Sequence, residues 1–302
     1  MSAPNPISRR RFFVAFNPGA GRSHRTFLDS VLAQLRVSGG IVDMARAVTA
    51  QSARVEAKAA AGSGAYDAIV AAGGDGTIRQ IAAAVAGSGV PIGIIPIGTG
   101  NVLAHEIAMP RRAGAIAHVL ATGPVIAITH AVANDEPFLL MAGAGFDGRV
   151  VQGLDVGWKQ WIGKAAYVGP ALAAFSGPLD CLDIVLDGKK HQATWAVIAN
   201  ARHFGGRFVI APRTHIATSG LQAVLFHARS RSVLLKQLTA LGLGRLERLA
   251  ERPPCDVQMI ACVEARITSA VPVPVQIDGD DFATTPLVVR PGTGSIDLIV
   301  PG

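Results

Sequence analysis

A glycine-rich turn that follows a short apolar run and precedes a helix-like stretch occurs three times before residue 125. This repetition constrains the fold more than any other feature of the chain. Residues 12–16 lead into NPGAG at 17–21, residues 68–72 into GGDG at 73–76, and residues 92–95 into GTGN at 98–101. Phe27, Leu28, Val31, Leu32 and Leu35 then recur at helical spacing, and Thr77 opens a helix over 78–86. A weaker strand at 41–45 precedes a helix at 50–61, which Thr49 can cap. Strand, loop and helix in this order predict a parallel sheet with helices on both faces. Such sheets bind ligands at the carboxyl ends of their strands.

Near Pro124 the pattern changes. The segments 125–133, 138–142, 183–186, 194–199, 221–226, 257–261, 265–268 and 273–277 are short, rich in strand formers and separated by turn residues. They predict an antiparallel sheet or sandwich. Helix-like inserts at 157–174 and 232–250 interrupt it. Half of the 302 residues are apolar and 16% are charged, which supplies a sizeable core and excludes global disorder. The 28 Lys and Arg against 21 Asp and Glu give a formal charge of +7, which favours an anionic partner. Aromatic residues are only 5%, and no nucleic-acid-binding signature is present, so nucleic acid is excluded as that partner. Cys181, Cys255 and Cys262 lack metal or disulfide spacing. The uncharged residues at 80–104 include Pro91 and Pro96 and read as helix, turn and strand rather than a membrane span, and the apolar run at 12–16 is too short for a signal peptide. A cytoplasmic protein able to touch a membrane face is expected.

The chemistry concentrates at GGDGT, 73–77. Glycines at the mouth of a helix let backbone N–H groups approach a phosphate, and the helix N-terminus adds a positive field. Asp75 would repel a bare phosphate, so either a magnesium ion stands between them or the carboxylate accepts a proton. Neither a Walker A sequence nor a dinucleotide G-x-G-x-x-G turn is present.

GGDGT at 73–77, PIGTGN at 96–101 and IDGD at 277–280, in this order, resemble the diacylglycerol kinase catalytic-domain family. Within it the chain is most similar to the soluble bacterial lipid-kinase branch, related to sphingosine and ceramide kinases. The resemblance runs over nearly the whole chain. It implies an α/β nucleotide-binding domain, 1–124 with 290–302 returning to it, and a β-rich lipid-substrate domain, 125–289, with ATP and lipid meeting in the cleft. It also implies an ATP-dependent kinase using Mg²⁺, phosphorylating a hydroxyl of a diacylglycerol-like, sphingoid or ceramide lipid. Asn17, Thr49, Gly73, Gly74, Gly76, Thr77 and Thr99 match positions lining the nucleotide. Asp75 matches a residue assigned to magnesium organisation in some relatives and to proton abstraction in others. Asp280 falls where the family carries the Glu of a DGE motif, the proposed general base, and Asp281 follows it. Asp147 lies where sphingosine-type relatives contact the polar head of the substrate, or ends a strand as a turn residue.

This chain departs from the family at three places. Asp280 is one methylene shorter than the usual Glu. Ser219 stands where bacterial relatives carry a metal-binding Asp, so that secondary site is expected to be empty or weak. Val102 replaces the Asp that many relatives place after the loop Asn. Arg22 and Arg79 are candidate phosphate partners, with exposed helix arginines as the simpler reading. Membrane access is expected from Trp158 and Trp161, interleaved with Lys159 and Lys164, and from a basic amphipathic segment holding Arg231, Lys236, Arg245 and Arg248. Both could instead cover the core. The reading is a lipid kinase peripheral to the inner membrane face, with homo-oligomerisation left open. Its rivals are a soluble-substrate kinase of the NAD-kinase type and a non-catalytic nucleotide- or lipid-binding protein.

Overall fold

The apolar runs at 12–15 and 68–73 show no polar alternation because both faces of their strands are covered. In the computed structural model, which describes residues 9–16, 22–45, 49–154, 166–251 and 255–302, they form β1 (Arg11–Phe16) and β3 (Ala68–Gly73). With β2 (Ile41–Met44), β4 (Ile92–Pro96), β5 (Val125–Ile128) and β20 (Ile296–Ile299) they make a six-stranded sheet, order β2-β1-β3-β4-β20-β5. Neighbours are parallel from β2 to β20, and β5 runs antiparallel to β20. The helices are α1 (Arg22–Val37), α2 (Ala50–Gly62), α3 (Asp75–Val85), α4 (Val102–Glu106) and α5 (Ala113–Thr122). Leu28, Val31, Leu32 and Leu35 form the buried stripe of α1, each side chain contributing about 1.5–3 kcal/mol by leaving water. These elements belong to one unit, Met1–Ile128 with Gly294–Gly302.

The second unit, Thr129–Thr293, is built from two antiparallel sheets. One has the order β10 (Lys189–Ala193), β9 (Leu182–Leu186), β16 (Ala265–Thr268), β19 (Leu287–Pro291), β6 (Ala131–Ala133), β7 (Glu136–Phe138). The other has the order β15 (Val257–Cys262), β14 (Leu221–Phe226), β11 (Trp195–Ala199), β8 (Met141–Ala144), β17 (Pro274–Ile277), β18 (Asp280–Thr284). Alternate residues of both, including Leu182, Ile184, Ile198, Ala223, Val275 and Leu287, form one buried cluster. This is the period-2 signature of a sandwich. A two-stranded ribbon, β12 (His203–Phe204) with β13 (Phe208–Val209), forms a separate small sheet. The helices are α6 (Phe146–Gln152), α7 (Val168–Ser176), α8 (Arg231–Gly242) and α9 (Leu246–Glu251).

The expected architecture, a parallel α/β sheet plus an antiparallel sandwich, is the one observed. Two element readings change. The apolar run 125–133 is two strands: β5 joins the first sheet and β6 the second, and between them the Thr129 N–H donates to the Ile216 carbonyl at 2.8 Å. The stretch 232–250 is two helices, because Gly244 takes a positive φ of 64° just past α8.

Candidate active site

In the first unit, β3 ends at Gly73, and Gly74 takes the N-cap position of α3 with no side-chain cap. A Cβ on Gly73 would come within 2.6 Å of the Thr77 Cβ, and one on Gly98 would overlap the Gly74 Cα. The two glycine turns therefore touch backbone to backbone, which other residues would prevent. The Ile97 N–H donates to the Gly73 carbonyl at 3.1 Å. Asn101, in the left-handed region at φ 48°, folds back on its own turn. Its Oδ1 accepts from the Gly98 N–H at 2.8 Å and its Nδ2 donates to the Gly98 carbonyl at 2.7 Å.

Asp75 completes this brace. Its Oδ2 accepts from the Val102 N–H and its Oδ1 from the Leu103 N–H, both at 3.0 Å. The carboxylate thus fastens the GGDGT turn to the first turn of α4. Such charge-assisted bonds are about twice as strong as neutral ones. Val102 is buried, so its apolar side chain suits its place. Gly76, Thr77 and Thr99 are half-buried on these turns. The glycine-rich turns meet beside an α3 N-terminus that carries no side-chain cap, an arrangement that suits a polyphosphate.

The other expected nucleotide residues stand differently. Thr49 is exposed, and its hydroxyl accepts from the Ser52 N–H at 3.1 Å in a capping box at the start of α2. Asn17 and the side chain of Arg22 lie outside the described residues, as do Trp158, Lys159, Trp161 and Lys164. Arg79 is buried at 5% exposure, which corrects its reading as an exposed helix arginine. Ser219 is exposed, and among the described residues no three metal-ligating side chains gather.

In the second unit, β17 and β18 are joined by a two-residue turn. Ile277 pairs with Asp280, and the central residues Asp278 and Gly279 take φ of 50° and 83°. Positive φ at both is the type I′ hairpin, which favours an Asp-Gly pair. Asp278 is buried and anchors the turn. Its carboxylate accepts from the N–H groups of Leu139, Leu140 and Met141 at 2.9, 2.9 and 3.0 Å. A bulge between Val275 and Gln276 shifts the register of the hairpin. Asp280 is half-buried directly after the turn, whereas Asp281 is exposed.

Asp147, in the first turn of α6, is 3% exposed. Its Oδ1 accepts from the Gly148 N–H and its Oδ2 from the Gln276 Nε2, both at 2.9 Å. Burial pushes its carboxyl up to about 6, against the opposing pull of these hydrogen bonds. The Asp147 side chain is thus enclosed by protein, where the sequence suggests a contact to a substrate head group or a turn residue ending a strand.

The basic segment is partly committed to the fold. Arg231 donates to the carbonyls of Phe175 and Ser176 at the end of α7. Lys236 pairs with Asp256 at 2.7 Å, and α8 buries Leu234 and Leu241. Arg229, Arg245 and Arg248 remain exposed, beside exposed Leu235 and Leu243 on the same stretch of chain.

Residues 11–133 match the family model described as the diacylglycerol kinase catalytic domain. Residues 141–300 match the YegS C-terminal NAD kinase beta sandwich-like domain. A Pseudomonas putida protein named "Probable lipid kinase YegS-like" is 31% identical over 66% of this chain and 68% of its own length. A Mycobacterium tuberculosis protein named diacylglycerol kinase is 30% identical over 61% of this chain and 63% of its own. An uncharacterised Synechocystis protein is 28% identical over 77% of this chain, and the chain spans about half (54%) of that relative's length. The crystal structure of a diacylglycerol kinase from Bacillus anthracis superposes with a TM-score of 0.75 at 19% identity, covering 98% of each chain, which bears on the fold alone.

Proposed function

Because the chain belongs to the diacylglycerol kinase catalytic-domain family, we propose that it is an ATP-dependent lipid kinase. It transfers the γ-phosphoryl group to a hydroxyl of a diacylglycerol-like, sphingoid or ceramide lipid. The observation that carries this reading is the brace in the first unit, in which Asp75 locks the GGDGT turn to the turn at 98–101 beside an uncapped helix N-terminus.

In this reading Gly73, Gly74, Gly76, Thr77 and Thr99, with Asn17 and Thr49 as further expected contacts, hold the nucleotide. The glycines do so through backbone N–H groups and the field of α3. Mg²⁺, when bound, would neutralise phosphate charge. Asp75 is the carboxylate that would face the ion. Asp280 takes the proton of the lipid hydroxyl. The hydroxyl oxygen then forms its bond to the γ-phosphorus as the bond to the β–γ bridging oxygen breaks, leaving ADP. The proton passes from Asp280 to water. Asp280 is preferred over Asp281 because it is half-buried directly after the turn that Asp278 anchors, whereas Asp281 is exposed.

The lipid acceptor requires access to a bilayer, and no helix among the described residues is long and apolar enough to cross one. We assign this access to the exposed arginines 229, 245 and 248 with the segment around Trp158 and Trp161, docking at the cytoplasmic membrane face. Each Lys or Arg near an anionic surface adds roughly 1 kcal/mol. Binding to anionic vesicles that does not weaken with salt would contradict the assignment.

Transfer of label from γ-labelled ATP to a panel of diacylglycerol, ceramide, sphingosine and phosphatidylglycerol in mixed micelles tests the function. NAD serves as the soluble acceptor in a parallel arm, because the GGDGT turn is shared with NAD kinases. A labelled lipid supports the proposal. Labelled NAD phosphate, or ATP binding with no transfer to any acceptor, overturns it.

A further inference from the structure

Gln276 is almost fully buried in β17, at 2% exposure, and both ends of its amide are engaged. Its Nε2 donates to the Asp147 carboxylate at 2.9 Å. Its Oε1 accepts at 2.8 Å from the N–H of Gly279, the second central residue of the β17–β18 turn. Asp147 is held in turn by the Gly148 N–H in the first turn of α6. A continuous chain of hydrogen bonds thus runs from α6 through one buried amide into the backbone next to Asp280.

This chain is built at some expense in stability. A carboxylate enclosed to 3% exposure is unfavourable unless hydrogen-bonded, and burial pushes its carboxyl up to about 6. An apolar pair of the same size would fill the space without that penalty. The Arg149–Asp180 ion pair lies on the same helix and beyond it, yet Arg149 is not a partner of Asp147. The bulge beside Gln276 further marks this hairpin as specially shaped, since bulges re-aim side chains near functional sites.

We propose that Asp147 and Gln276 are a positioning pair: together they fix the Asp278–Gly279 turn from the α6 side and so set the direction of the Asp280 carboxylate. Asp278 pins one end of the turn to the loop before β8, and Gln276 pins the other. Two independent anchors define an orientation where one would leave a pivot. This inference rests on Asp280 acting as the base of the lipid kinase reaction.

The test exploits the polarity of the chain. In Asp147→Asn the new amide faces the Gln276 amide, donor to donor. In Gln276→Glu two carboxyl groups face each other. In the double exchange, Asp147→Asn with Gln276→Glu, the Asn can accept from Gly148 and donate to the Glu, which still accepts from Gly279. Each single variant should lose about 10- to 100-fold in kcat with KM for ATP unchanged, the scale of a small misplacement of a reacting group. The double exchange should recover most of that loss. Folded single variants with wild-type kcat overturn the proposal, as does a folded double exchange no better than either single. Should the singles fail to fold, the kcat of the double exchange alone decides. Hydrogen exchange at the Gly279 amide, faster in the singles and restored in the double, reads the link without any assay of activity. If the wild type phosphorylates no lipid, or Asp280→Ala keeps its turnover, the functional reading fails, and the Gly279 amide still reports whether the pair holds the turn.

Discussion

Asp278 sets up the sharpest test of how the second unit holds its turn, because it performs two separable tasks. Its backbone takes the left-handed conformation at φ 50°, and its carboxylate satisfies three N–H groups, those of Leu139, Leu140 and Met141. Three substitutions divide the tasks. Asn tolerates the conformation and, with its amide oxygen in place of Oδ1, keeps the bonds to Leu140 and Met141 while orphaning Leu139. One buried unpaired donor costs about 1–3 kcal/mol. Gly keeps the conformation and orphans all three. Water entering the vacated space and relief of the buried charge offset part of the sum, leaving about 3–5 kcal/mol. Ala orphans all three and adds roughly 1–2 kcal/mol for a left-handed Cβ. The stability order should be wild type, Asn, Gly, Ala, read as urea midpoints by circular dichroism. Against a typical total of about 5–15 kcal/mol, the Ala variant should be close to unfolding. Amide exchange at residues 139–141 should accelerate in the same order. A Gly variant within about 0.5 kcal/mol of wild type would refute a load on the three amides, and an Ala variant equal to Gly would refute the conformational share.

Three further outcomes are expected. Asp280→Ala should lower lipid phosphorylation by about 10²–10⁴, while Asp281→Ala changes it only a few-fold; equal small losses in a kinetic assay would move the base role elsewhere. Asp75→Asn should abolish transfer and also lower the unfolding free energy in urea by about 1–3 kcal/mol, because its amide must present a donor to either Val102 or Leu103; a folded variant with near-normal turnover would remove Asp75 from the site. Asp147 has a folded-state carboxyl raised to about 6, so its contribution is greatest below its unfolded value and is lost as pH rises through about 6. Relative to Asp147→Asn, wild type should lose up to about 3 kcal/mol between roughly pH 4 and pH 7, and parallel stability profiles for the two proteins would contradict the buried-acid assignment.

The parallel sheet was legible because its central strands are covered on both faces and read as unbroken apolar runs, and the sandwich because inward residues such as Leu182, Ile184 and Leu186 alternate. The break within 125–133 was hidden, since apolar residues on both sides suit either sheet and the choice depends on partners distant in sequence. The glycine turns were visible, but the bonds that brace them were not. Asp75 reaches amides 27 and 28 positions away, Asp278 reaches amides 137 to 139 away, and Gln276 reaches an acid 129 away. Residue type shows that an acid or amide needs partners, and only the tertiary fold says which. One local signal was available for Asp278: an Asp-Gly pair between strand-like runs demands positive φ and therefore a hairpin turn. Asp147 could be either a head-group contact or a turn residue on sequence grounds, because motif position carries no information on burial.

The place of β20 in the first sheet has a consequence for biosynthesis. Its strand lies between β4 and β5, yet it is made only after the whole of Thr129–Thr293 has been translated. At about 5–20 residues per second, that is a wait on the order of ten seconds. Throughout it the nascent first unit presents β4 as an open edge of apolar residues, the kind of surface that recruits foreign strands. The first unit therefore cannot close its sheet until the second has been synthesised and residues 296–299 arrive.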